Sequence, residues 1–233
     1  MLIYIDLETS GLESDDVICS VAVLHKDKGL YALVNEGKKI SPSASAVHHI
    51  TNEMIASEKS FVQSSVCAFL EQYNKAENTL IMHNTKLYLQ KLISAGFVWQ
   101  GDVIDTCKVT KHLIPECELF SLDVLYYELK LYKKEDSLKK AFGIKDALCS
   151  KKALYDVLMV QLLFDYLLDY ATVDVMKELT CKNVLLQKFL FGKYEGKYIE
   201  EIVLNDRAYV EWMLHLSDLD EDLKYSLEYY TKG

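Results

Sequence analysis

Two carboxylates one residue apart, Asp6 and Glu8, follow the apolar run Leu2-Ile3-Tyr4-Ile5. A short apolar run of this kind reads as a buried strand, and in a strand residues i and i+2 project to the same side. Both side chains can then converge on one divalent cation, for which carboxylate oxygen is the preferred ligand. A third acid, Asp156, lies far along the chain, where Leu154, Val157, Leu158 and Leu162 recur at helical spacing. Taken alone, an acid pair can also be a solvated strand end, and Asp156 an exposed helix carboxylate.

The elements that must position these groups follow from the hydrophobic pattern. Further strands are expected at residues 17–24, 30–34 and 79–82, the last running into His83-Asn84. Helical spacing appears over 60–73, from Lys86 to a stop at Gly96, over 106–113, over 122–131 with Ser121 as cap, and over 152–170. Strands first and helices after, around one sheet, predict an α/β domain over residues 1–172. The texture then changes. Gly, Lys and aromatic residues concentrate in Phe191-Gly192-Lys193-Tyr194-Glu195-Gly196-Lys197-Tyr198, which reads as a short hairpin. With helical segments at 209–214 and 221–230, this makes a second, small α+β module over 183–233.

The whole run Ile3-Tyr4-Ile5-Asp6-Leu7-Glu8-Thr9-Ser10-Gly11-Leu12 resembles the first motif of the DEDDh family of 3′–5′ exonucleases. Val47-His48-His49-Ile50-Thr51 is similar to the family's V-H-G-I-T stretch, with His49 where glycine is usual, and Ile104-Asp105-Thr106 also has a counterpart. Ala153-Leu154-Tyr155-Asp156-Val157 resembles the third motif and puts Asp156 at a metal-ligand position. The tail from Phe191 to Lys224 resembles the C-terminal module of exodeoxyribonuclease X-like proteins. The resemblance implies a ribonuclease H-like fold, a mixed sheet flanked by helices. It implies four carboxylates holding two Mg²⁺ or Mn²⁺ ions across the scissile phosphate, with a histidine taking a proton from the attacking water. It also implies DNA as partner, with single-stranded 3′ ends favoured, and association with replication or repair proteins. Thr9, Ser10, His83 and Asn84 would then contact nucleic acid, although His83-Asn84 reads equally as a cap for the helix that follows.

Two positions depart from the pattern. The second motif, usually H-N-x-x-F-D, reads His83-Asn84-Thr85-Lys86-Leu87-Tyr88, so Tyr88 stands where an acid is expected. The histidine position five before Asp156 holds Lys151. Asp6, Glu8 and Asp156 remain as the metal-binding set for one or two ions, or for none if the Lys151 ammonium fills the site in the metal's place. Weak or lost cleavage is the expectation, and the alternative is an inactive module that binds nucleic acid or a partner.

The formal charge of −9, taken as a single number, speaks against a nucleic-acid partner. Its distribution does not. Lysine dominates residues 130–152, and Lys139, Lys140 and Lys152 are the expected phosphate contacts there; a second basic stretch spans 182–198. Arg207 is the one arginine, so phosphate contacts must be made mostly by lysine point charges. Phe191, Tyr194 and Tyr198 could stack on bases or form the small module's core. His48, by its place, is expected to hold a loop. The six cysteines show no zinc-binding spacing. The opening residues lack a basic n-region and no stretch is apolar enough to span a membrane, so a cytoplasmic protein is expected.

Overall fold

The computed structural model describes residues 1–26, 28–143, 152–217 and 219–232. Its strands are β1 (Leu2–Thr9), β2 (Ile18–His25), β3 (Lys28–Leu33), β4 (Thr79–Met82) and β5 (Asp102–Asp105). They form one sheet in the order β3-β2-β1-β4-β5. β1 pairs antiparallel with β2 and parallel with β4, so the sheet is mixed. β4 continues in parallel to β5. Four residues with a polar edge hid β5 from the hydrophobic pattern: only Ile104 and Asp105 of Asp102–Asp105 are buried.

The helices of the first unit are α1 (Pro42–His48), α2 (Asn52–Ile55), α3 (Ser65–Gln72), α4 (Thr85–Ser94), α5 (Thr106–Leu113), α6 (Leu122–Glu128), α7 (Tyr132–Ala141), α8 (Lys152–Leu167) and α9 (Val173–Cys181). Those of the C-terminal region are α10 (Ile199–Asn205), α11 (Arg207–Leu214) and α12 (Glu221–Lys232). Ser121 occupies the N-cap position of α6 without making a side-chain cap bond. Among the described residues no helix is long and apolar enough to cross a membrane.

Two apolar clusters clamp the sheet. On one side Ile3, Ile5 and Leu7 pack with Phe61, Val66 and Phe97. On the other Tyr4 packs with Ala22, Leu24 and the inner face of α8. α8 is apolar nearly all round, which is what a helix enclosed by a sheet and by other helices requires. α9 follows the expected end of the first unit, yet Met176 is fully buried in this same core and the Thr180 hydroxyl accepts from the Asp105 N–H at 3.0 Å.

The C-terminal region has its own cluster, built on Val184, Leu186, Phe189, Ile199, Val210 and Leu227. The expected hairpin is instead a tight loop with isolated bridges, Lys188 to Tyr198 and Phe189 to Glu195. Gly192 and Gly196 turn it at positive φ of 83° and 77°. Tyr194 packs on the cluster, whereas Phe191 and Tyr198 stay exposed. The two units meet through ion pairs from Lys86 to Glu221 at 2.8 Å and from Lys108 to Asp222 at 3.7 Å.

Candidate active site

The two-residue period of β1 builds the site. Ile3, Ile5 and Leu7 point into one cluster, so Tyr4, Asp6 and Glu8 point to the face that α8 covers. A bulge between Glu8 and Thr9 breaks the pairing with β2 just beyond the acids. α8 then presents Asp156 to the same spot. Carboxylate oxygens of Asp6, Glu8 and Asp156 all lie within 4.8 Å of one another, with Asp6 and Asp156 buried. Each acid keeps one buried oxygen without a hydrogen-bond partner: Asp6 Oδ2, Glu8 Oε1 and Asp156 Oδ1. Native interiors rarely leave such atoms unsatisfied, and three such acids clustered together fit a hard divalent cation such as Mg²⁺ or Mn²⁺.

Crowding and burial disturb the protonation of all three. Burial, then the nearby Asp156 and Glu8 charges, raise the pKa of Asp6 well above the carboxylate range. Burial and Asp156 push Glu8 up to about 7. Burial lifts Asp156 to about 6 although the Lys152 ammonium pulls it down. Without a cation these acids are held close together at a cost. Asp123, an exposed acid at the start of α6, adds its negative charge to the field at Glu8 and Asp156. No motif singled it out, because it matters only through the placement of α6.

Tyr88 and Lys152 complete the site. The Tyr88 hydroxyl lies beside Asp6, where its hydrogen-bond donor favours the ionised carboxylate. Burial and the three acids push the phenol pKa well up, so Tyr88 stays a neutral donor and cannot act as an anionic ligand. Lys152 pairs with Asp156 Oδ2 one helical turn away. Burial lowers the pKa of this lysine, but the acids outweigh that and keep it an ammonium. The cation on Asp156 is therefore Lys152, which the sequence reading had assigned to phosphate contact. Lys151 lies outside the described residues.

Several residues expected to touch nucleic acid are spent on the scaffold instead. His83 is buried; its Nε2 donates to the Phe120 carbonyl at 2.8 Å and its Nδ1 meets the Thr106 hydroxyl at 2.9 Å, so neither ring nitrogen faces a substrate. Ser10 is buried too, its hydroxyl donating to Asp16 at 2.7 Å and accepting from the Val17 N–H at 3.1 Å. The Thr9 hydroxyl donates to the Gly11 carbonyl at 2.7 Å. Lys139 pairs with Glu135 at 2.9 Å and lies over the Tyr155 ring, so it braces α7 against α8. Lys140 and Asn84 remain exposed.

His48 does hold a loop. Its Nδ1 accepts from the Ile50 N–H at 3.0 Å, which leaves the proton on Nε2 to donate to the Thr9 carbonyl at 3.2 Å, just past Glu8. His49 follows in the left-handed conformation, φ 60°, which accounts for glycine being usual there. Asn84 sits at the N-cap of α4 but makes no side-chain cap bond. Asp105 does that work. Its carboxylate accepts from the Thr85 N–H at 2.8 Å and the Asn84 N–H at 3.2 Å, while also capping α5 through the Cys107 N–H at 2.9 Å.

One buried lysine escaped the sequence reading altogether. Lys91 of α4 drives its ammonium into the loop after β1, donating to the carbonyls of Glu13 at 2.8 Å, Ser14 at 3.1 Å and Asp16 at 2.7 Å. Replacing it by methionine keeps the stem and strands three acceptors. Lys91→Met is expected to cost about 1–3 kcal/mol, read as a lower midpoint in guanidinium unfolding. An unchanged midpoint would mean that water satisfies the loop equally well.

Residues 3–164 match the family described as Exonuclease, and residues 189–215 match Exodeoxyribonuclease X-like C-terminal. Exodeoxyribonuclease 10 of Escherichia coli (strain K12) is 28% identical over 239 residues, covering 100% of both chains. The solved structure "Exonuclease X in complex with 5' overhanging duplex DNA" is similar with a TM-score of 0.60 and 26% identity, over 77% of this chain and 99% of that one.

Proposed function

Given that the chain belongs to the exonuclease family, we propose that it acts at 3′ ends of DNA as a divalent-cation-dependent 3′–5′ exonuclease with strongly reduced turnover. The observation that carries this reading is the convergence of Asp6, Glu8 and Asp156, each with one unpartnered buried oxygen. A bound Mg²⁺ or Mn²⁺ would polarise the phosphoryl group and supply charge to the departing oxygen. The protein's own groups hold and orient: Asp6 and Glu8 from a strand locked in the sheet, Asp156 from a helix packed across it. Rigid placement of this kind is what phosphoryl chemistry asks of a protein. Reduced turnover follows from the residues in the remaining two roles. Tyr88 offers a neutral phenol where the family has an acid, and Lys151 stands at the place of the general base, whose contribution is typically about 10²–10⁴ in rate. Exposed lysines such as Lys140 supply point-charge contacts to the backbone, so binding is sequence-blind and weakens with salt.

The similarity to a relative solved with 5′-overhanging duplex DNA makes both single strands and recessed 3′ ends the substrates to test. Incubation of the full chain with 3′-labelled forms of each, with Mn²⁺ and with chelator, should give slow, metal-dependent loss of the label that Asp6→Asn abolishes. A second reading, a module that binds DNA ends without cutting, is favoured by the Lys152 ion pair on Asp156. Tight retention of the DNA with no release of nucleotide over hours would select it. Neither retention nor release would overturn both.

A further inference from the structure

We propose that this site is built for one divalent cation, with the Lys152 ammonium as a permanent, covalently tethered stand-in for a second. The inference rests on the reading that the three carboxylates hold a metal at all. Three observations carry it. First, Lys152 holds one oxygen of Asp156 while the other is left without a partner. Second, each acid leaves one buried oxygen without a partner, and the three acids bring one carboxylate oxygen each to within 4.8 Å of one another. One oxygen from each acid makes a single set of ligands, whereas a two-ion site needs carboxylates that bridge ions about 3.5–4 Å apart. Third, the charges match. Three carboxylates and one ammonium carry a net −2, which one divalent cation neutralises. A second ion would be left with a surplus of positive charge in a buried setting, where unbalanced charge is costly.

Tyr88 acts in the same direction. It stands beside Asp6 with a donor proton where a fourth carboxylate would have offered a lone pair. Phenol and ammonium thus flank the acids from α4 and from α8.

The test counts metal without DNA. Titration of the full chain with Mn²⁺, followed by calorimetry and by electron paramagnetic resonance, should show one ion per chain and the spectrum of an isolated, uncoupled Mn²⁺. Lys152→Gln should bind Mn²⁺ at least tenfold more tightly, because a neighbouring positive charge is removed and Asp156 Oδ2 is freed. Lys152→Arg keeps the charge, and its affinity should stay within about threefold of the natural chain, which separates an electrostatic effect from a disturbed fold. Joining Lys152→Gln to Tyr88→Asp should admit a second ion and produce spin coupling between the two. Two coupled ions in the natural chain, or an affinity unmoved by Lys152→Gln, would overturn the inference while leaving the metal-dependent reading intact. No bound Mn²⁺ in any variant would overturn both.

Discussion

Tyr88→Asp combined with Lys151→His should trim a single-stranded 3′ end at least about 100-fold faster than the natural chain in Mn²⁺. The Tyr88 hydroxyl reaches Asp6, so a carboxylate at position 88 is directed from α4 toward the same acids. The single Tyr88→Asp change supplies a ligand but no proton acceptor, and Lys151→His supplies the acceptor without the ligand. Each alone is expected to fall well short of the pair, because groups that act as a unit do not contribute additively. Rates should be measured under single-turnover conditions, with far-ultraviolet circular dichroism to show an unchanged fold. A folded double variant as slow as the natural chain would mean that these two positions do not limit the chemistry.

The second large effect concerns stability in the absence of metal. Glu8 holds its proton up to about 7 in the folded protein, against 4.5 as its ordinary value. Between those values the unfolded chain binds fewer protons than the native one, so stability must fall as pH rises. For Glu8 alone the loss is on the order of 3 kcal/mol from about pH 4.5 to pH 7. Asp6 and Asp156 are raised as well and share the same charge, so the three losses overlap and do not sum. Asp6→Asn removes the most deeply buried of the charges. It should make the metal-free protein more stable at pH 8, flatten the pH slope, and cancel the rise in Tm that Mn²⁺ gives the natural chain. Thermal melts across pH with and without Mn²⁺ would show this. A natural chain whose metal-free stability rises between pH 5 and 7 would refute it.

How much of this was legible in the sequence varies with the kind of interaction. Asp6 and Glu8 were legible because a period-two strand announces its own geometry, and β4 and α5 matched their expected spans to the residue. Asp156 was legible through its neighbours and the resemblance they carry. Groups whose roles depend on a partner distant in the chain were not. Asp105 caps a helix that begins at Thr85, and nothing local signals that. Lys91 looks like an ordinary solvated lysine until the loop from Glu13 to Asp16 folds over it. His83 reads as a substrate contact until Phe120 and Thr106 claim its ring. Lys152 is a different case. Its four-residue spacing from Asp156 was visible, but the sequence reading gave Lys152 to phosphate contact and not to the acids.

The double anchoring of α4 has an evolutionary consequence. Asp105 fixes its first turn and Lys91 pins its far end to the loop after β1, so position 88 hangs between two tethers that are indifferent to which side chain it bears. Tyrosine and aspartate codons differ at a single nucleotide. The scaffold can therefore lose or regain an acid there in one mutational step while its framework stands unaltered. A lineage carrying this chain keeps a dormant ligand position within immediate reach of selection, whatever use it makes of the protein now.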